Sequence, residues 1–248
     1  MMQSGLYALM RRDGGPLAAC DTAALGLIPI NDLAQPLFAA VDSLDQTAIS
    51  RFEEQGRLTL FAGHLAEAND CARRFALPTS CAAAQIAAHA LARFGTDTPV
   101  ELMGDWSLLD CDRDGNLTLM SAAQRRDPIL FATNGPHVAV AADIHALRRL
   151  SWISDEIDEV GMLGAIGRGP LRQAMSRRTM VTGVEEVGAS ETVVLKRDGT
   201  VTRVRAKVFV PQTAFKGSYA DARHAASAML DDIVAGHVNR SKHSVLLL

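Results

Sequence analysis

The sequence predicts an α+β protein whose sheets are antiparallel, and three observations carry that expectation. The dipeptides Asp114-Gly115, Asn134-Gly135 and Asp198-Gly199 each separate two apolar-rich runs, the pattern of a tight hairpin. In RLTLFAG, residues 57–63, Leu58, Leu60 and Ala62 alternate with Thr59, Phe61 and Gly63, which suits a largely buried strand. SCAAAQIAAHALARF, from Ser80 to Phe94, carries alanine at most positions and reads as a helix whose backbone lies close to a sheet.

Taken in order, GLYALM at 5–10 is a short strand closed by the turn signal Asp13-Gly14-Gly15-Pro16. Residues 17–55 show only weak periodicity. After the strand at 57–63 a helix runs through Arg74. Pro78 interrupts the chain, and Ser80 is placed to cap the alanine-rich helix, which Gly95 ends. Two consecutive hairpins over 104–141 point to one antiparallel sheet. A short helix spans Ile144 to Leu150, residues 155–169 turn from helical to glycine-rich, and 179–210 returns to strand with a hairpin at Asp198-Gly199. An amphipathic helix at 218–237, capped by Ser218, precedes the apolar SVLLL.

With 248 residues the chain has room for a large domain and part of a second. Its net charge of -3 argues against nucleic acid or an anionic membrane surface as a partner. Apolar stretches fall short of the roughly 20 residues that cross a bilayer. The start lacks the pattern of a secretory signal, so a cytoplasmic protein is expected. Cys20, Cys71, Cys81 and Cys111 have neither CxxC spacing nor disulfide density and are expected to be buried, reduced thiols. Gly161, Gly164, Gly167 and Gly169 lack the Lys-Ser/Thr of a phosphate loop. Asp110, Asp112 and Asp114 lack the glutamate of a calcium loop, and the histidines show no metal-binding spacing, so no metal is expected.

The segment ELMGDWSLLDCDRDGNLTLMSAAQRRDPILFATNGPHVAVAADIHAL resembles the asparagine synthetase family, in which a GxFAFALWD strand leads to ARDxxGxxPLYY and then ASEIKAL. Gly104, Trp106, Asp110, Arg126, Asp127, Leu130, Phe131, Ala142, Asp143, Ile144, Ala146 and Leu147 fall on or near that pattern. RLTLFAGHLAEAND is similar to LAFNGEIYN, and RTMVTGVEEVGASETVVLKRDG to TPFxGIxRLPPGxxLxxDxDG. The resemblance covers nearly the whole chain in the right order. It implies a four-layer αββα sandwich of antiparallel sheets, of the N-terminal-nucleophile, class II glutamine amidotransferase type, over residues 1–208. It further implies the first helix and strand of an α/β, ATP-binding synthetase domain over 209–248, with the sequence stopping before that family's SGGxDS loop and reading as part of a longer protein.

In that family a terminal cysteine attacks the glutamine side-chain amide, with its own α-amine as base. The matching position here is Ser4, behind Met2 and Gln3, so removal of Met1 exposes no nucleophile. Ala62-Gly63-His64 stands where the family has NGE, so the side-chain oxyanion donor is lost and a backbone amide at most remains. His64 reads as a replacement donor or, more simply, as a solvent-facing histidine at a strand end. Thr79-Ser80-Cys81-Ala82-Ala83 replaces GSDxE and has no carboxylate for the substrate amine. Gly104 and Asp105 complete the degenerate glutamine pocket, and Arg51 and Arg57 are the nearby candidates for a substrate-carboxylate arginine.

Loss of a nucleophile costs on the order of a million-fold in turnover, so glutamine hydrolysis is not expected. The resemblance then implies an amide-forming ligase whose chemistry lies beyond this chain. ATP and magnesium would be held by the synthetase domain, with no cofactor in the chain itself. A lasso peptide (macrolactam) cyclase is the preferred member, akin to β-lactam synthetases, with its own C-terminal domain and a precursor peptide or peptidase as partners. The alternatives are a glutamine-hydrolysing asparagine synthetase and a non-catalytic binding module.

Overall fold

The strand at Tyr7–Arg11 (β1) sends Ala8 and Met10 to one side and Tyr7 and Leu9 to the other, and all four side chains are buried. A strand buried on both faces must lie in a sheet covered twice, and that requirement sets the architecture. The computed structural model describes residues 6–25, 28–30, 37–40, 49–123, 128–166, 177–206 and 215–240. The chain divides into two compact units, Met1–Val208 and Phe209–Leu248.

In the first unit β1 is followed by β2 (Ile28–Ile30), β3 (Leu37–Ala40), β4 (Ile49–Glu54), β5 (Arg57–Leu65), β6 (Gly104–Cys111) and β7 (Leu117–Ser121). After these come β8 (Ile129–Asn134), β9 (His137–Ala141), β10 (Val184–Val187), β11 (Glu191–Leu195) and β12 (Val201–Arg205). Two six-stranded sheets result, ordered β10-β8-β9-β1-β3-β2 and β12-β11-β7-β6-β5-β4, and every pairing is antiparallel.

Three apolar cores define four layers. Between the sheets, Ala8 and Met10 meet Leu58, Leu60, Leu109, Leu119, Phe131, Val140 and Val193. Outside the first sheet, Tyr7, Leu9 and Leu130 pack with Ala146 and Leu147 of α5 (Ile144–Leu147) and with Leu25, which ends α1 (Ala19–Ala24). Outside the second, Phe61, Leu65, Trp106 and Leu108 pack under α2 (Ala68–Arg74) and α3 (Ala83–Phe94), while α4 (Thr98–Glu101) leads into β6. The four-layer αββα sandwich expected from the sequence is therefore the observed fold. Each large aliphatic side chain in these cores contributes roughly 1.5–3 kcal/mol by burial. A further helix, α6 (Glu159–Ile166), precedes β10.

Several expectations are corrected. The hairpins β6–β7 and β8–β9 do not share a sheet: β7 pairs with β11 and β9 with β1, so the chain crosses between the layers after Ser121. Residues 17–55, weakly periodic, contain α1, β2, β3 and β4. Ser80 does not cap α3. That helix starts at Ala83 with no side-chain cap, and the Ala84 amide donates instead to Ser50 Oγ at 2.8 Å. Cys71 and Cys111 are buried, but Cys20 is exposed and Cys81 half-buried. In α1 it is Asp21 that turns inward, accepting bonds from the Ser151 amide at 2.8 Å and hydroxyl at 3.2 Å, which leaves Cys20 outside. All four thiols are unpaired.

In the second unit, α7 (Tyr219–Arg240) begins with the predicted cap. The Asp221 amide donates to Ser218 Oγ while the Asp221 carboxylate accepts the Ser218 amide and hydroxyl. This reciprocal box holds the Asp221 pKa below its usual range. The SVLLL strand lies outside the described residues. Among the described residues no helix is long and apolar enough to cross a membrane.

Asp110 closes the helix side of the second sheet. Directly across the ladder from Thr59, it accepts Arg57 Nε on both oxygens at 2.7 and 2.9 Å and Thr59 Oγ1 at 2.7 Å, with its side chain 3% exposed. Truncating it strands a guanidinium and a hydroxyl. Asp110→Ala is expected to lower unfolding stability by about 3 kcal/mol in urea titrations, and an unchanged midpoint would contradict that role.

Candidate functional site

Ala62, Gly63 and His64 on β5 lie across the ladder from Ser107, Trp106 and Asp105 on β6, and Leu65 lies across from Gly104. Five of the residues singled out in the sequence thus meet at one end of the second sheet. Trp106, 1% exposed, anchors that end: its indole donates to the Leu102 carbonyl at 2.9 Å and its ring stacks on Phe61 at 5.8 Å. The Ala66 amide donates to the Met103 carbonyl at 2.9 Å, and the Ala122 amide to that of Trp106 at 3.1 Å.

The backbones of β5 and β6 approach so closely here that both glycines are obligatory. Gly63 has φ +110°, and a Cβ on it would fall 2.2 Å from the Asp105 carbonyl oxygen and 2.8 Å from Trp106 Cα. Gly104 has φ +142°, and its Cβ would fall 2.1 Å from the His64 carbonyl oxygen. Each glycine makes room for the opposite strand.

Around this frame, Gly63 and Asp105 are exposed, whereas Ala62 and His64 are half-buried. His64, at the strand end, is thus only partly open to solvent. Ala62 leans against the core between the sheets and offers a methyl group where an amide donor would be needed. Ser80 is exposed ahead of α3, and Cys81 packs partly into the helix-side core with Phe61 and Leu65. Burial lifts the Cys81 thiol pKa above its ordinary value and keeps it protonated near neutrality, so it is not poised as a substitute nucleophile. Ser4 lies outside the described residues.

Neither candidate arginine is offered to this end as a free cation. Arg57 sits six residues down β5, about 20 Å away at strand rise, and is bound by Asp110. It borders a cavity of about 70 Å³ with Phe52, Thr59 and His89, room for about two waters. Arg51, opposite Leu60, is paired with Glu53. The aspartates that suggested a calcium loop are also committed. Besides Asp110, Asp112 accepts the Asp114 and Asn116 amides, both at 2.9 Å, and Asn116 Nδ2 at 2.8 Å, closing the β6–β7 turn. Sequence reasoning missed Ser50, which ties the start of α3 to β4 beside the Ala62 end. Its partner lies 34 residues further on, and no local pattern announces it.

No protein-family model matches the sequence, and no curated protein does. Among solved structures the fold is similar to glutamine phosphoribosylpyrophosphate amidotransferase from B. subtilis complexed with ADP and GMP. The identity is 12%, 84% of this chain and 44% of that chain are covered, and the TM-score is 0.46. It is also similar to the structure of the allosteric regulatory enzyme of purine biosynthesis, with 12% identity, the same 84% and 44% coverage and a TM-score of 0.47. The chain spans less than half the length of either.

The close approach of β5 and β6 separates two kinds of glycine. Gly63→Ala should cost at least about 2 kcal/mol, because strand must move as well as φ. Gly14→Ala, with φ +71° and open space around its Cβ, should cost about 1 kcal/mol. Equal losses in denaturant titrations would contradict the contact.

Proposed function

We propose that this chain is the amidotransferase-like domain of an ATP-dependent, amide-forming enzyme of the asparagine synthetase type, and that the domain no longer hydrolyses glutamine. The observation that carries the reading is the rim at Ala62-Gly63-His64. Gly63 is held by a backbone contact that no other residue fits, while its neighbours lack the asparagine and glutamate of the motif it resembles. The frame for an oxyanion site is kept and the side-chain donor is gone. The lack of a carboxylate in the segment Thr79-Ser80-Cys81-Ala82-Ala83 and the commitment of Arg57 to Asp110 support the same conclusion, since a free amino acid needs a partner at each end.

In this reading the substrate's own amine takes the place of ammonia. The synthetase half activates a carboxylate with ATP and magnesium, and the amine closes on it to form the amide. Macrolactam closure of a precursor peptide is the preferred form, because an intramolecular amine removes the need for a glutaminase. The peptide, or a peptidase that delivers it, would be the partner, in a cytoplasmic setting. No residue of this chain is assigned to the nucleotide or the metal.

Incubated with L-glutamine, the protein should release ammonia no faster than buffer, as followed by a coupled glutamate dehydrogenase assay. Release proportional to enzyme would overturn the loss of glutaminase activity. A protein carrying this domain with its synthetase half should exchange pyrophosphate into ATP when an acidic peptide is added. Failure of that exchange would leave the ligase reading without support.

A further inference from the structure

In α6, EVGMLGAI, only Glu159 is charged, and a helix apolar on every side belongs in an interior. Yet Gly161 is its only buried residue. That glycine is where the helix rests on the body of the first unit, since a Cβ on it would fall 1.7 Å from the Thr179 carbonyl oxygen. The first turn is fixed by Asp158, whose carboxylate accepts the Gly161 amide at 2.9 Å and whose carbonyl accepts the Met162 amide at 2.8 Å.

At about 3.6 residues per turn, Met162, Leu163 and Ile166 share the side of the helix that faces away from Gly161, and Glu159 begins the same stripe. Leu163 is 60% exposed and Ile166 68%, with Val160 and Met162 open beside them. The apolar surface continues past the helix. Ile157, 64% exposed, bridges to Val181, and the Asp158 amide donates to the carbonyl of the exposed Met180 at 3.0 Å. Single exposed aliphatics are ordinary, whereas six gathered around one short helix mark an interaction surface.

The charges beside this surface define what it receives. Asp155, Glu156, Asp158 and Glu159 border its amino-terminal end. Arg148 pairs with Asp155 at 3.0 Å and Arg178 with Asp158 at 3.4 Å, while the exposed Glu156 and Glu159 have no ion pair among the described residues. The rim is therefore net acidic. It would repel an anionic bilayer. A helix with aliphatic residues on one face and Lys or Arg beside them matches both the apolar centre and the rim.

We infer that α6, with Ile157 and Met180 beside it, is a docking surface for a basic amphipathic helix of a partner protein. The partner's aliphatic side chains lie against Leu163 and Ile166, and its cations against Glu156 and Glu159.

The test uses the whole chain and a fluorescently labelled synthetic helix of Leu and Lys, with the leucines on one face, followed by anisotropy. The same helix with Glu in place of every Lys is the charge control, and a scrambled sequence of equal composition is the pattern control. Micromolar binding, roughly tenfold tighter than that of either control, is expected. The exposed pair Leu163→Ser/Ile166→Ser should weaken it roughly tenfold or more, and Glu156→Lys/Glu159→Lys should erase the preference for the basic helix, with circular dichroism unchanged in both. No binding by the unmodified chain, equal binding of either control, or unchanged binding by either double variant overturns the docking surface. So does a dimer of the chain alone in sedimentation that Leu163→Ser/Ile166→Ser dissolves, because a second copy then covers the patch.

Discussion

Eight residue pairs zip β5 to β6, from Leu58 opposite Cys111 to Leu65 opposite Gly104, and the rest of the first unit depends on that ladder. Its alternate side chains serve two cores at once. Leu58, Leu60 and Leu109 face the other sheet, and Phe61, Leu108 and Trp106 face the helices. A slip of one residue would exchange the two sets and bring Thr59 and Asp110 into the apolar space between the sheets. The Asp110–Arg57–Thr59 network therefore works as a register lock, since its members have partners in one alignment only.

The same ladder fixes the shape of the rim independently of the side chains beside it. At one end, close strand approach enforces glycine at 63 and 104 whatever reaction is carried out. Residues 62 and 64, and the loop before α3, are under no such packing demand. Under the reading proposed above, Ala62, His64 and Ser80-Cys81 can stand there in place of side-chain donors and acids without disturbing the frame. At the opposite end, Arg12 Nε and Nη2 are buried with no hydrogen-bond partner among the described residues.

Much of the local structure was legible because it is locally encoded. The turns at Asp114-Gly115, Asn134-Gly135 and Asp198-Gly199 and the box at Ser218 and Asp221 each rest on residues within four positions of one another. What failed was non-local. Nothing near 104–141 states that β7 will pair with β11 and β9 with β1, so two hairpins were read as one sheet. Ser80 was the nearer cap, yet Ser50 met the α3 amide because β4 brings it there. Cys20 looked buried by its apolar context, but a six-residue helix has one inward position to spare and Asp21 took it for Ser151. Of the candidate site, the cluster at Ala62–His64 and Gly104–Asp105 was legible, since a motif-like run on each of two adjacent strands converges once the ladder forms. Arg57 could be offered only as a candidate, because its pairing with Asp110 joins residues 53 positions apart and no local pattern announces it.

The central claim is that the αββα frame persists here without a seat for glutamine. Thermal unfolding of the protein across increasing L-glutamine tests it most directly, since any ligand bound only by the native state raises the melting temperature as its concentration exceeds the dissociation constant. The account predicts no shift beyond that produced by an equal concentration of L-alanine. A saturating rise specific to glutamine would show a working pocket and contradict the claim.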